Sequence, residues 1–200
     1  VTDAKGAVVE IPAQPKRVIA LSELTLDSAL ALDVTPIATT AGRGQGTVAA
    51  YLHDRAKDIE SVGILAQPKL ERVATLKPDL ILTDGTATLD ASVMDKLRRI
   101  APTVYVSKTD ADWREAFQST ADAMGLHDRG VEKLKEFDDR VASVRSKLGD
   151  NADAEISIVR WGGIGLPAVI MKELSAGRTL TALGLRRPKF QDREGPGHSE

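Results

Sequence analysis

Among the side chains able to do chemistry, Arg160-Trp161 stands out by its setting. The pair follows the apolar run Ile156-Ser157-Ile158-Val159 and precedes Gly162-Gly163, which puts a fixed cation and a flat aromatic face at the carboxyl end of a strand. A guanidinium bonds two oxygens of an anion at once, and an indole offers a stacking surface. The competing reading is a surface ion pair beside a core indole. Gly42, Gly44 and Gly46, with Arg43 among them, sit where a dinucleotide fold carries its phosphate loop. That fingerprint needs its third glycine three residues after the second and an acidic strand end about 20 residues on, and neither is present. The cluster reads instead as a loop at the carboxyl edge of a sheet, with Arg43 placed to reach a ligand. Trp113 and Arg178 join Arg43, Arg160 and Trp161 as candidate ligand-binding residues.

Other chemistries fit less well. His53, His127 and His198 lack metal-ligand spacing, and with no cysteine in the chain there is no thiolate nucleophile, zinc-thiolate site or disulfide framework. Ser22-Glu23 lacks the glycines of a nucleophile elbow. Asp84 and Asp110 end strands, where a carboxylate is an acid/base group or, more often, a helix cap. No catalytic set emerges, and the chain is read as a non-enzyme.

The elements that must position these residues alternate. Short apolar runs at 17–21, 36–40, 79–83 and 103–107 are separated by helical patterns that open near Ser22, include Tyr51, cover 70–76 and span 90–100. Strands spaced by helices of this length specify an α/β fold with a parallel sheet. Residues 7–11 follow Gly6 as one arm of a small hairpin. Val131, Leu134, Phe137, Val141, Val144 and Leu148 then recur every three or four residues, predicting one helix over 129–149 closed by Gly149. A second α/β pattern follows, with strands at 156–160 and 168–171 and a helix around 180–183. The resulting division is a lobe at 1–125, a connecting helix at 126–149 and a second lobe begun at 150–200; fifty residues with so few strands cannot close a core, so the sequence is expected to end inside that lobe.

Twenty-seven Lys and Arg against 29 Asp and Glu leave a net charge of −2, which lacks the basic excess that neutralises nucleic-acid phosphates. No apolar run approaches the roughly 20 residues that span a bilayer. Val1 begins in polar sequence, so an export signal, if used, has been removed from what is shown.

The sequence resembles the substrate-binding proteins of ferric-siderophore and cobalamin ABC importers, the class III periplasmic binding proteins. The resemblance rests on Val1-Thr2-Asp3 through Ile11-Pro12, Arg17-Val18-Ile19-Ala20-Leu21, Val62-Gly63, Gln67-Pro68-Lys69-Leu70-Glu71, Leu76-Lys77-Pro78-Asp79-Leu80-Ile81, Ile100-Ala101-Pro102-Thr103-Val104, Leu183-Gly184-Leu185, Arg187-Pro188 and the tail from Gln191 to Glu200. It implies two Rossmann-like α/β lobes on one long helix, a ferric siderophore held between them, and a monomer outside the cytoplasm, periplasmic or tethered as a lipoprotein. It also implies that Glu71 docks on an arginine pocket of the importer's permease, with a second-lobe glutamate falling just past Glu200. Lys69 stands where the family usually has Asn, and Leu65 where some hydroxamate binders carry an arginine. Ferric iron is satisfied by the siderophore's oxygens, so neither a metal ligand nor a cofactor is expected of the protein. The alternatives are haem or cobalamin binding by the same fold, with Tyr51, Tyr105 or His198 as the axial haem ligand, and a nucleotide-dependent enzyme using Gly42–Gly46.

Overall fold

The computed structural model describes residues 1–87, 89–109, 111–161, 168–193, 198 and 199. The chain divides into two compact units, Val1–Lys133 and Leu134–Glu200.

In the first unit, β1 (Val18–Ala20) and β5 (Leu80–Thr83) are buried along their whole length, the pattern of central strands covered on both faces. Around them the sheet runs β4-β3-β2-β1-β5-β6, with β2 (Ala38–Ala41), β3 (Glu60–Ile64), β4 (Gln67–Pro68) and β6 (Thr103–Tyr105). Every pairing is parallel except β3 with β4. One core gathers Ile19, Leu21, Val62, Val73, Ile81 and Leu97, and another gathers Ala20, Leu26, Leu30, Leu52 and Ala56. These residues tie to the sheet the helices α1 (Glu23–Ala31), α2 (His53–Ala56), α3 (Leu70–Thr75) and α4 (Ala91–Ile100), to which α5 (Trp113–Ala123) is added beyond β6. Leaving β1 the chain builds β2 and β3 on one side, then returns to build β5 and β6 on the other. The carboxyl ends of β1 and β5 therefore flank the switch point at which open α/β sheets bind ligands.

The four strands read from the apolar runs are present, each within two residues of its expected bounds. The N-terminal hairpin is reduced to one bridge, Thr2 with Val8, around Gly6 at φ +84°. The β3–β4 hairpin was not foreseen, because only Val62 of β3 is fully buried and its sequence carries no apolar run. The helix expected around Tyr51 is a 3-10 turn, Ala50–Leu52, followed by the single turn of α2. The helix α3 stops before Pro78 as expected, but Lys77 leaves it in the left-handed region at φ +47° rather than in the extended one that proline favours for its predecessor.

The long helix α6 runs His127–Arg145 rather than 129–149. Past Arg145 the bonding tightens, Lys147 N–H donating to Val144 and Leu148 N–H to Arg145, and Gly149 at φ +54° opens a 3-10 turn. Its apolar residues Leu134, Phe137, Val141 and Val144 are half-buried and Val131 is exposed. In the second unit β7 (Val159–Arg160), β8 (Ala168–Ile170) and β9 (His198–Ser199) pair antiparallel in the order β7-β8-β9, and α7 covers Ser175–Ala182. The strand expected at 156–160 is shortened at its start, since Ile156 N–H donates instead to the carbonyl of Arg186.

Candidate functional site

The carboxyl edge of the first sheet is built outward from one buried contact. The Ser22 hydroxyl donates to the Asp84 carboxylate, joining the ends of β1 and β5 at the switch point. The other Asp84 oxygen accepts from the Thr86 amide at 2.6 Å and the Thr86 hydroxyl at 2.5 Å. Ser22 also caps α1 by accepting from the Thr25 amide at 3.1 Å. With each oxygen occupied by a short local or cross-strand donor and the residue 1% exposed, Asp84 is a structural bolt.

Beside it, the glycine loop is folded on itself. Gly42 N–H donates to Thr47 at 2.8 Å, Gln45 N–H to Gly42 at 2.9 Å, and Arg43 N–H to the Glu23 carboxylate at 2.8 Å. A carboxylate already occupies an amide that a phosphate would need, and the helix that follows is one turn long. The loop therefore lacks the features of a nucleotide cradle. Arg43 itself is exposed, and its guanidinium has no partner among the described residues.

Tyr51 stands on the same side of the fold with 69% of its surface exposed. Its hydroxyl pKa is pushed up to about 12, by partial burial first and then by the charges of Asp27 and Glu23. The neighbouring carboxylates alone require that direction. Tyr105 is half-buried, with the Lys5 ammonium 4.1 Å from its ring centre, and its pKa is raised by burial, Asp84 and Asp3. Both phenols are thus harder to ionise than an ordinary tyrosine. The side chain of His198 lies outside the described residues, as do Asp110, Gly162, Gly163, the stretch 194–197 and Glu200.

Trp113 opens α5 next to its cap Asp112, half-buried, with the Arg114 guanidinium 5.0 Å from its ring centre. Glu71 is exposed on the first turn of α3, and its carboxylate has no partner among the described residues.

In the second unit Arg160 ends β7 fully on the surface, and Trp161 is 71% exposed. The indole is not a core residue, and the Arg160 guanidinium meets no carboxylate among the described residues, so neither half of the bland reading holds. Arg178 differs, since it donates to the Glu173 carbonyl at 2.8 Å and pairs with the Glu173 carboxylate at 2.9 Å. Arg43, Glu71 and Trp113 belong to the first unit and Arg160, Trp161 and Arg178 to the second.

Sequence reasoning missed the acidic pair Glu23 and Asp27 beside Tyr51, and the buried Arg187, which donates to Gln191 at 2.7 Å while Gln191 reaches Ser157 at 2.6 Å. Among the described residues no group of three His, Asp or Glu side chains is arranged to hold a metal ion. No described helix is long and apolar enough to cross a membrane.

Comparison with known proteins gives a consistent result. The profile of a family described as periplasmic binding protein matches residues 18–194. The curated "Probable siderophore-binding lipoprotein YfiY" of Bacillus subtilis is 32% identical over 191 residues, which are 96% of this chain and 58% of that protein. The Fe(3+) dicitrate-binding periplasmic protein FecB of Escherichia coli is 29% identical over 177 residues, 87% of this chain and 57% of that one. The chain thus spans less than two thirds of either relative. Among solved structures, Staphylococcus aureus SirA complexed with staphyloferrin B superposes with a TM-score of 0.80 at 29% identity, covering 96% of this chain and 65% of that chain.

Proposed function

Because this chain belongs to the periplasmic binding protein family, we propose that it captures a ferric siderophore outside the cytoplasm and delivers it to an ABC importer for iron uptake. The observation that carries the reading is Arg160-Trp161 at the end of β7, where an exposed cation with no acidic partner among the described residues adjoins an exposed aromatic face. Such a surface grips an oxygen-rich anionic complex from outside while leaving the iron's coordination sphere to the siderophore. In this reading the protein brings no metal ligand and no cofactor of its own, acts as a monomer, and meets the membrane only through a lipid anchor or the permease. The siderophore-binding relatives support it.

The test is a titration of tryptophan fluorescence with ferric hydroxamate and ferric carboxylate siderophores, iron-free siderophores and haem as controls. We expect at least one ferric complex to bind with submicromolar affinity, roughly −8 kcal/mol or better. Saturable binding of haem alone, or of a nucleotide alone, would replace the proposal.

A further inference from the structure

We infer that Glu23 is the positioning residue for Arg43, fixing the loop that presents this cation without neutralising it. The inference deepens the siderophore reading and rests on it for the role of Arg43.

Three glycines in five residues make Gly42–Gly46 a segment with much backbone freedom to lose on ordering, and Gly44 sits at φ +70°. Two of the hydrogen bonds described for its N–H groups close within the turn, from Gly42 to Thr47 and from Gln45 to Gly42. They shape the loop but do not aim it. The third, from Arg43 N–H to the Glu23 carboxylate at 2.8 Å, comes from a different element. Glu23 is the first residue of α1, whose cap Ser22 is bolted to Asp84 at the sheet's switch point. The loop is therefore referenced to the buried Ser22–Asp84 contact between β1 and β5 through one carboxylate. Packing agrees, because a Cβ on Gly42 would lie 2.9 Å from the Glu23 Oε1 and 2.9 Å from the Ala49 amide nitrogen, so only glycine leaves room for the carboxylate to approach.

The choice of atom matters. A carboxylate that took the Arg43 guanidinium would hold the side chain equally well and cancel its charge. By accepting from the amide, Glu23 fixes the backbone and leaves the fork of N–H groups for a ligand. Glu23 then contributes to affinity only through Arg43, unlike a residue that touches the ligand itself.

The experiment has one arm without ligand and one with it. In the ligand-free protein, amide hydrogen exchange at Arg43 is compared in wild type, Glu23→Gln and Glu23→Ala. Glutamine keeps an acceptor oxygen, so protection should persist there, whereas Glu23→Ala should speed exchange by about two- to tenfold, the range of one hydrogen bond. Unchanged exchange in Glu23→Ala overturns the inference whatever the protein binds. In the second arm, ferric citrate and a ferric trihydroxamate are titrated into the same variants and into Arg43→Ala with and without Glu23→Ala. We expect Glu23→Ala to weaken binding by about two- to tenfold, Glu23→Gln to restore it, and Glu23→Ala to cost nothing further once Arg43 is gone. Additive losses would assign Glu23 a separate role and overturn the positioning account. Absence of binding by the wild type to either complex would count against the siderophore reading, while the exchange arm would still judge the Glu23 contact.

Discussion

Arg160 is exposed with no ion-pair partner among the described residues, which leaves its charge available to a ligand. Once a ligand excludes water around it, a hydrogen bond to that charge gains strength. Arg160→Ala should weaken an anionic ferric complex by about 1.5 to 3 kcal/mol and a neutral one by less, as read by paired fluorescence titrations. Unchanged affinity of Arg160→Ala for both complexes would make Arg160 an ordinary surface residue. Asp84 is the opposite case, a charge whose work is internal. Asp84→Ala leaves the Ser22 hydroxyl and the Thr86 amide without their acceptor in a buried place, which costs about 1 to 3 kcal/mol. A lower urea midpoint at unchanged slope would register that loss, and an unchanged midpoint would refute the bolt. The sequence marks Asp84 as a strand end, but its partner lies 62 residues away and becomes a neighbour only because β1 and β5 pair. The exposure of Trp161 was not the core burial its apolar type suggested, and the pairing of Arg178 in α7 with Glu173 just before that helix went unread although only five residues separate them.

Elements with their own punctuation were the legible ones. Ser22 before α1 and Asp90 before α4 are side chains that accept from the third helical amide, and both helices start where those caps stand. The β3–β4 hairpin had no such mark, since its register is set by pairing with β2 and by the Lys69 amide closing on Val62. Asp90 carries a consequence for acid stability. Its pKa is lowered from 3.8, first by the Val93 amide and then by the Ser92 hydroxyl, both of which favour the ionised form. A group lowered on folding contributes its stabilisation above the unfolded value and loses it as pH falls through the folded one. Amide protection in α4 should therefore decline as pH drops below 3.8. Asp90→Asn, which keeps a capping oxygen that does not titrate, should flatten that decline. Identical acid profiles for the two proteins would show that the cap is not responsible.

At the scale of the molecule, alternating strands and helices made the parallel sheet of the first unit readable, because each βα step is local in sequence. The antiparallel set β7-β8-β9 was not readable as such, since β9 pairs with β8 across a gap of nearly thirty residues and no turn signal joins them. Under the proposed function, delivery of the ligand would use a surface apart from the ligand site, and the proposal gives that role to Glu71. It sits exposed on the first turn of α3, with a carboxylate that no described residue engages. A favourable charge near a helix N-terminus explains its type but not its availability. If Glu71 docks into an arginine pocket on the permease, reversing its charge sets like charges against each other at the contact, where opposite charges steer association. Glu71→Arg should leave ferric-siderophore affinity and the urea midpoint near those of wild type. In vesicles carrying the importer it should lose most of the ligand-dependent stimulation of ATP hydrolysis, and raising the salt should reduce wild-type stimulation because screened charges steer less. Full stimulation by a folded Glu71→Arg protein would remove the docking role and leave Glu71 as a helix-end charge alone.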